Sequence, residues 1–461
     1  MHYRKLMRRC VSNIEDFLDK ARSIIKKRSL AKMPTFFWFV FSIKRLFSFK
    51  KHFGFLSEEF FAENFLKDKV CDIGGFGMTA RIISEYYNAK QKRDFEATAL
   101  FSRTLHKQSE WRFSINGSSV FTVPDLSKDY LKSFLMYSFC AQKHFHFLLS
   151  IDIFPRYEFS LRAMPHTPLL IWIRDPQGES ELKKIATVEC EISANRMNTL
   201  DEFITFAKRS RNFFSKIHRQ SRVFKRPIIF VTNAHCLTQR AQRLYNLREI
   251  NPYFLPNPIH YPPAERIQKS KLPTVCLLGR LDPVKRPWIF FELAKRFKNI
   301  DFLVCGQSSY PEIINPIIEQ YRSVQNLKFL GLVQGENKAD ILSKSWVLIN
   351  TSIHEGLPCS FLESFAYGTP ILSSVDPDGL VSKFGVYTGE NTGDGKDETT
   401  MKSFQEGLDK LISDKKQLEQ LGLQAREYIK KIYCFDVFEK NLKKILSDRF
   451  RINYTLQSQV K

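Results

Sequence analysis

The chain has 461 residues, enough for two or three domains with substantial cores. Hydrophobic residues make up 43% and charged residues 26%, ordinary for a soluble globular protein. The formal net charge of +23 is not ordinary, and it points to an anionic partner: nucleotide phosphates, an acidic membrane surface or nucleic acid.

Nine cysteines stand singly along the chain with no CxxC pair, which argues against a disulfide framework or a zinc site. Free thiols in a reducing compartment fit better. No signal peptide is read at the start, and the first strongly apolar run, Phe36 to Ile43, is shorter than the roughly 20 residues a bilayer span needs. The expected location is cytoplasmic.

Residues 1 to 53 carry fourteen Lys/Arg against three Asp/Glu. They combine a basic helical stretch, Ala21 to Lys32, with the aromatic run Phe36-Phe37-Trp38-Phe39-Val40-Phe41. Two readings stay open: a peripheral contact with an anionic membrane, or an extra helix packed on the domain that follows.

Downstream the pattern becomes strand, loop, helix. Lys69 to Ile73 is predicted as a strand, Gly74-Gly75-Phe76-Gly77 as a tight loop and Met78 to Ala89 as a helix. Apolar runs at Phe145–Ile153, Leu169–Ile173 and Pro227–Val231 have the look of buried parallel strands. A linker is predicted where Pro252, Pro256, Pro258, Pro262 and Pro263 cluster. Beyond it, strands are predicted at Thr274–Leu278, Asp301–Cys305, Lys328–Leu330, Trp346–Asn350 and Pro370–Ser373, with helices between them and helix throughout Gln417–Asp448. The expected fold class is α/β, two Rossmann-like doubly wound domains facing a central cleft. The division reads 1–56 extension, 57–255 first domain, 256–425 second domain and 426–461 helical tail, the tail crossing back to the first domain.

In open α/β sheets the ligand lies beyond the carboxyl ends of the strands. After the strand ending at Leu278 comes Gly279-Arg280-Leu281-Asp282-Pro283-Val284-Lys285, whose two cations can converge on a phosphate. The plain alternative is a pair of solvated loop cations. After the strand ending at Asn350 comes His354-Glu355-Gly356-Leu357-Pro358-Cys359-Ser360-Phe361-Leu362-Glu363. The N–H groups around Leu357 to Ser360 open a helix and favour an anion. Glu363, one turn in, leans back toward that helix start, where it can accept hydrogen bonds from vicinal hydroxyls such as those of a ribose. Glu355 precedes the helix, beside a second set of hydroxyls. The alternatives are that Glu363 complements the helix dipole and Glu355 is a surface residue.

Together, these residues and the following Ser364-Phe365-Ala366-Tyr367-Gly368-Thr369-Pro370 resemble the donor-binding signature of the GT-B-fold retaining glycosyltransferases of the glycosyl transferase group 1 (GT4-like) family. Gly279-Arg280 with Lys285 looks like that family's diphosphate pair, Phe329 to Val333 like its base-binding strand and loop, and Asn257-Pro258-Ile259 like its inter-domain linker. The glycine loop at Gly74 and Gly75 resembles the one that lets backbone approach the donor phosphates, although a plain tight turn explains it too. The resemblance implies a metal-independent, anomer-retaining sugar transfer. Arg280, Lys285 and Glu355 would act at the reacting centre, and Gly74, Gly75, Gly279, Val333, Gly356, Leu357, Pro358, Cys359, Ser360 and Glu363 would bind donor.

The nucleotide sugar is then a substrate, and no cofactor is expected. The acceptor stays open among glycan, lipid and small molecule. The family's histidine in the first domain has no counterpart at the strand end Ile171–Pro176, where Asp175 is read in its place on the acceptor side. Asp376-Pro377-Asp378 has a D-x-D spelling but lies in a proline-glycine loop and is read as a surface turn. Two rivals are weighed: a nucleotide-sugar epimerase on the same fold, and a non-catalytic binder of anionic surfaces. Nucleic acid is not expected, because the charge is diffuse and no nucleic-acid motif occurs.

Overall fold

The computed structural model describes residues 33–46, 51–57, 75–89, 94–101, 112–115, 118–123 and 130–450. The strands of the first domain are β1 (Lys51–Ser57), β2 (Phe95–Phe101), β3 (Arg112–Ile115), β4 (Ser118–Thr122), β5 (Phe147–Ile151), β6 (Leu169–Ile173), β7 (Ile228–Thr232) and β8 (Tyr253–Phe254). Their order across the sheet is β3-β4-β2-β1-β5-β6-β7-β8, with β3 antiparallel to β4 and every other pair parallel. β5 and β6 are buried at all five positions, as strands covered on both faces must be.

The second sheet holds β9 (Thr274–Leu278), β10 (Asp301–Cys305), β11 (Leu327–Gly331), β12 (Val347–Asn350), β13 (Ile371–Ser373) and β14 (Gly385–Tyr387), all parallel, in the order β11-β10-β9-β12-β13-β14. From β9 the chain winds outward to β10 and β11, then returns to lay β12 on the other side of β9. This reversal opens a crevice beyond the carboxyl ends of β9 and β12, the place where doubly wound sheets take ligands.

The beginning of the chain differs from its sequence reading. β1 lies at the centre of the first sheet, between β2 and β5, so residues assigned to a separate extension of 1–56 supply the domain's middle strand. The helix Met33–Leu46 also belongs there. Its Phe37 and Phe41, one turn apart, pack with Leu135 and lie edge-on to Phe139. The predicted strand Lys69–Ile73, Gly74 and the basic stretch Ala21–Lys32 lie outside the described residues. Gly75, Phe76 and Gly77 form the first turn of the helix Gly75–Ala89 rather than a loop. β2, β3 and β4 have no counterpart in the sequence reading.

At the other end the predicted continuous helix breaks at Tyr433 and Cys434, between the helices Lys415–Ile432 and Phe435–Phe450. The break lets the chain leave the second domain. Phe438, Leu442, Ile445 and Leu446, spaced as one helical stripe, join Phe53, Phe55, Phe147 and Trp172 in the first domain's core. Each such buried side chain contributes about 1.5–3 kcal/mol of transfer free energy. Among the described residues no helix is long and apolar enough to cross a membrane.

Candidate active site

Gly75, Asp175, Gly279, Arg280, Val333 and Glu363 all line one cleft of about 300 Å³ between the two domains. So do Lys285 and the run Glu355, Gly356, Leu357, Pro358, Cys359 and Ser360. The sequence-predicted site residues are thus brought together, with Gly74 alone outside the described residues.

Two strand ends build the floor. After β9, Pro283–Lys285 forms a single 3₁₀ turn, and Arg286 follows in the left-handed region at φ 46°. Arg286 is fully buried and ties the turn to its neighbours, donating to the Thr351 carbonyl at 2.9 Å and to Ser374 Oγ at 3.2 Å. Burial pulls its pKa down to about 10. The turn is also zipped to the end of β12, since Thr351 Oγ1 donates to the Lys285 carbonyl and the Ile353 N–H to the Val284 carbonyl. Lys285 therefore enters the cleft from a rigid mount. Arg286 was missed in the sequence because, beside Lys285, it reads as one more loop cation.

Lys285 Nζ lies 2.5 Å from Glu355 Oε1, which also accepts from Ser352 Oγ at 2.7 Å and Asn350 Nδ2 at 3.2 Å. The two residues form one charge pair rather than two independent groups. Arg280, two-fifths exposed, reaches Asp282 at 3.3 Å. The buried Asp282 carboxylate also accepts the Ser309 N–H at 2.9 Å, fixing the loop after β10 beside the loop after β9.

The helix Cys359–Ala366 opens directly onto the cleft, with Pro358 at its N-cap rather than inside its first turn. Its leading N–H groups carry the positive end of the helix dipole. Glu363 Oε1 accepts from Lys338 Nζ at 2.7 Å. Burial works to lower the Lys338 pKa, but the Glu363 charge and hydrogen bond outweigh it and raise the ammonium above its ordinary value. Lys338 was not singled out from the sequence, where only its place just past Val333 marks it.

From the first domain comes Asp175, at the end of β6. Its Oδ1 lies 2.8 Å from His354 Nε2 and its Oδ2 accepts from Gln177 at 2.8 Å. Burial pushes this carboxyl up, but His354 above all, with Gln177 and Lys285, holds it below the usual range. An imidazole does meet the cleft-lining Asp175, then, but it lies behind that carboxylate and the second domain supplies it. His166 bonds Thr35 and His146 accepts the His52 N–H, and neither lines the cleft. Arg174, buried and stacked on Trp172 with its charge 4.8 Å from the ring centroid, also lines the cleft and donates to Thr79 Oγ1 and Cys359 Sγ.

The domains are fastened around this cleft. Arg240 donates to the Glu355 carbonyl at 2.7 Å. Asp378, from the loop read as a plain surface turn, accepts the His235 and Cys236 N–H groups of the first domain at 2.8 and 2.7 Å. Its D-x-D partner Asp376 is spent on the Val381 N–H. Among the described residues no group of three His, Cys, Asp or Glu side chains is placed to hold a metal ion.

Residues 263–428 match the family model of glycosyl transferases group 1. No curated protein matches the chain. Among solved structures, sucrose-phosphate synthase from Thermosynechococcus elongatus superposes with a TM-score of 0.61 at 13% identity, covering 88% of this chain and all of that one. HepE from Anabaena, solved with UDP-glucose, gives 0.58 at 12% identity over 86% of this chain and 99% of its own. A glycosyltransferase from Rickettsia africae gives 0.55 at 10% identity over 87% and 99%. These likenesses establish the two-domain GT-B fold, and the matched segment contains Arg280, Lys285 and Glu363 of the cleft. The chain has the GT-B fold, and the match of its residues 263–428 to glycosyl transferases group 1 marks it as a glycosyltransferase.

Proposed function

We propose that the chain transfers a sugar from a nucleoside diphosphate sugar, with retention of anomeric configuration and without a metal, to an acceptor held by the first domain. The observation that carries this is the convergence, on one cleft at the strand-order reversal, of Arg280, Lys285, a helix N-terminus and the Glu363 carboxylate. Lys285, Arg280 and the N–H groups of Cys359 and Ser360 meet the diphosphate, and Glu363 takes nucleoside hydroxyls. Glu355 holds Lys285 in place and faces the sugar, with Asp175 and His354 on the acceptor side. UDP sugars are the first donors to test, because HepE of the same fold was solved with UDP-glucose.

In the reaction the bond between the anomeric carbon and the β-phosphate oxygen breaks. The acceptor oxygen bonds that carbon from the same face and gives its proton to the departing diphosphate. Positive charge grows on the sugar and negative charge on the leaving oxygen, so fixed cations and N–H dipoles at the phosphate lower the barrier. The nucleotide sugar is substrate, and no cofactor is called for. The same reading is of a cytoplasmic protein, with the basic and aromatic residues that precede β1 toward an anionic membrane surface.

A thermal-shift screen of nucleotide sugars should find one that stabilises the protein by mass action. For that donor, Glu363→Ala should weaken affinity about tenfold to a hundredfold, the loss of one charge-assisted hydrogen bond. Unchanged donor affinity in a folded variant overturns the nucleoside assignment. Product formation only when acceptor is added separates transfer from epimerisation. Turnover should also persist in excess EDTA, because Arg280, Lys285 and the helix dipole already supply the positive field. Loss on chelation, restored by magnesium or manganese, overturns metal independence.

A further inference from the structure

Resting on the membrane reading above, we propose that the first domain docks on an anionic lipid bilayer through a composite surface. Its parts are the outer face of the helix Met33–Leu46 and the basic helix Arg209–Phe224. The first helix is two-sided. Phe37 and Phe41 are buried, whereas Phe36, Phe39 and Val40, at i, i+3 and i+4, are 52%, 68% and 41% exposed. Single exposed hydrophobes are common, but three on one helical face form a patch that water disfavours.

The second helix lies beside the start of the first. Thr35 Oγ1 is 3.0 Å from His166 Nε2, Trp38 stacks on the same imidazole, and His166 in turn meets the Phe224 ring edge-on with centroids 5.6 Å apart. Gln142 anchors the first helix here by donating to the Pro34 carbonyl.

Helix Arg209–Phe224 contains no acidic residue. Lys216 is taken up by Glu158, and Arg209 lies over the Phe206 ring. Among the described residues no carboxylate pairs with Arg211, Arg219, Arg222 or Lys225, and the last three are exposed. Val223, between two of them, is 73% exposed. Paired cations would be spent; these are available. Exposed apolar side chains on one helix and unneutralised Lys and Arg on the other match a bilayer interface, where rings enter the headgroup boundary and cations meet anionic lipid. A polyanion such as nucleic acid would engage the cations and leave the phenylalanines in water.

The test sediments the full-length protein with vesicles of phosphatidylcholine alone and of phosphatidylcholine mixed with phosphatidylglycerol. Binding to the mixed vesicles only, weakened by salt, is expected. The variant Arg219→Gln/Arg222→Gln/Lys225→Gln should bind on the order of a hundredfold more weakly. Phe36→Ser/Phe39→Ser should lose a comparable share, and both variants should keep the parent's circular dichroism and its affinity for the donor. If the parent ignores anionic vesicles, the membrane reading itself falls. If the parent binds and both folded variants bind equally well, this surface is not the anchor, and the reading for the residues that precede β1 survives without it. If Phe36→Ser/Phe39→Ser alone keeps full binding and duplex DNA competes it away, the surface recognises charge only and the bilayer proposal is overturned.

Discussion

Lys285→Ala is expected to lower kcat by about a hundredfold to a thousandfold, the scale of losing one preorganised group at a developing oxyanion. The structure makes the loss worse than a missing cation. Glu355 Oε1 sits 2.5 Å from Lys285 Nζ, and its side chain is only 11% exposed. With the ammonium gone, a poorly solvated carboxylate faces the departing diphosphate, and repulsion replaces attraction. Donor affinity should change less than turnover, because the charge on the leaving oxygen peaks in the transition state. The fold should survive, since Ser352 and Asn350 still donate to Glu355. The pairing also predicts non-additivity: Lys285→Ala/Glu355→Gln should be more active than the sum of its single losses implies. Steady-state kinetics of the four proteins, with circular dichroism for folding, settle the matter. A folded Lys285→Ala enzyme with parental kcat would put the phosphate elsewhere.

How far the site was legible depends on how local its determinants are. The second domain could be read because its strands are short, mostly apolar runs and each functional loop follows its strand directly. Leu278 leads into Gly279-Arg280, and Asn350 into the segment ending at Glu363. Partners distant in sequence could not be read. Lys338 precedes Glu363 by 25 residues, and Asp175 stands 179 residues from His354. A charged residue shows its own presence in a sequence, never its neighbour's.

In the first domain the difficulty was different. β1 begins with Lys51 and carries Gly54 at its middle, two residues that argue locally against a strand. Packing overrides that preference. A Cβ on Gly54 would lie 2.5 Å from Leu100 Cδ1 and 3.0 Å from Leu148 Cδ2, so a larger residue would have to displace leucines packed from both flanking strands. The aromatic run after Met33 was equally ambiguous. Half of it is core and half is surface, and only the helix phase set by Phe37 and Phe41 against Leu135 separates the two.

Gly356→Ala should cost about a hundredfold in kcat/KM without touching any charged group, because it prevents the two domains from closing by roughly an ångström. Gly356 follows Glu355 in the second domain, and a Cβ built on it would lie 2.0 Å from the Arg174 carbonyl oxygen and 3.5 Å from the Asp175 Cα of the first domain. Both obstacles are backbone at the end of β6, so no side chain can swing aside. Relief requires the domains to part. That lengthens the His354–Asp175 contact of 2.8 Å and the Arg240 bond to the Glu355 carbonyl, and it withdraws the acceptor side from the donor sugar. Donor binding should suffer much less, since Arg280, Lys285, Lys338 and Glu363 all belong to the second domain. Each domain's core is untouched, so the variant should remain folded. Small-angle scattering with donor bound should show a more open particle than the parent, and transfer kinetics should show the loss in turnover. A folded Gly356→Ala enzyme with parental kcat/KM would mean that sugar transfer does not need the close approach of the Gly356 loop to the end of β6.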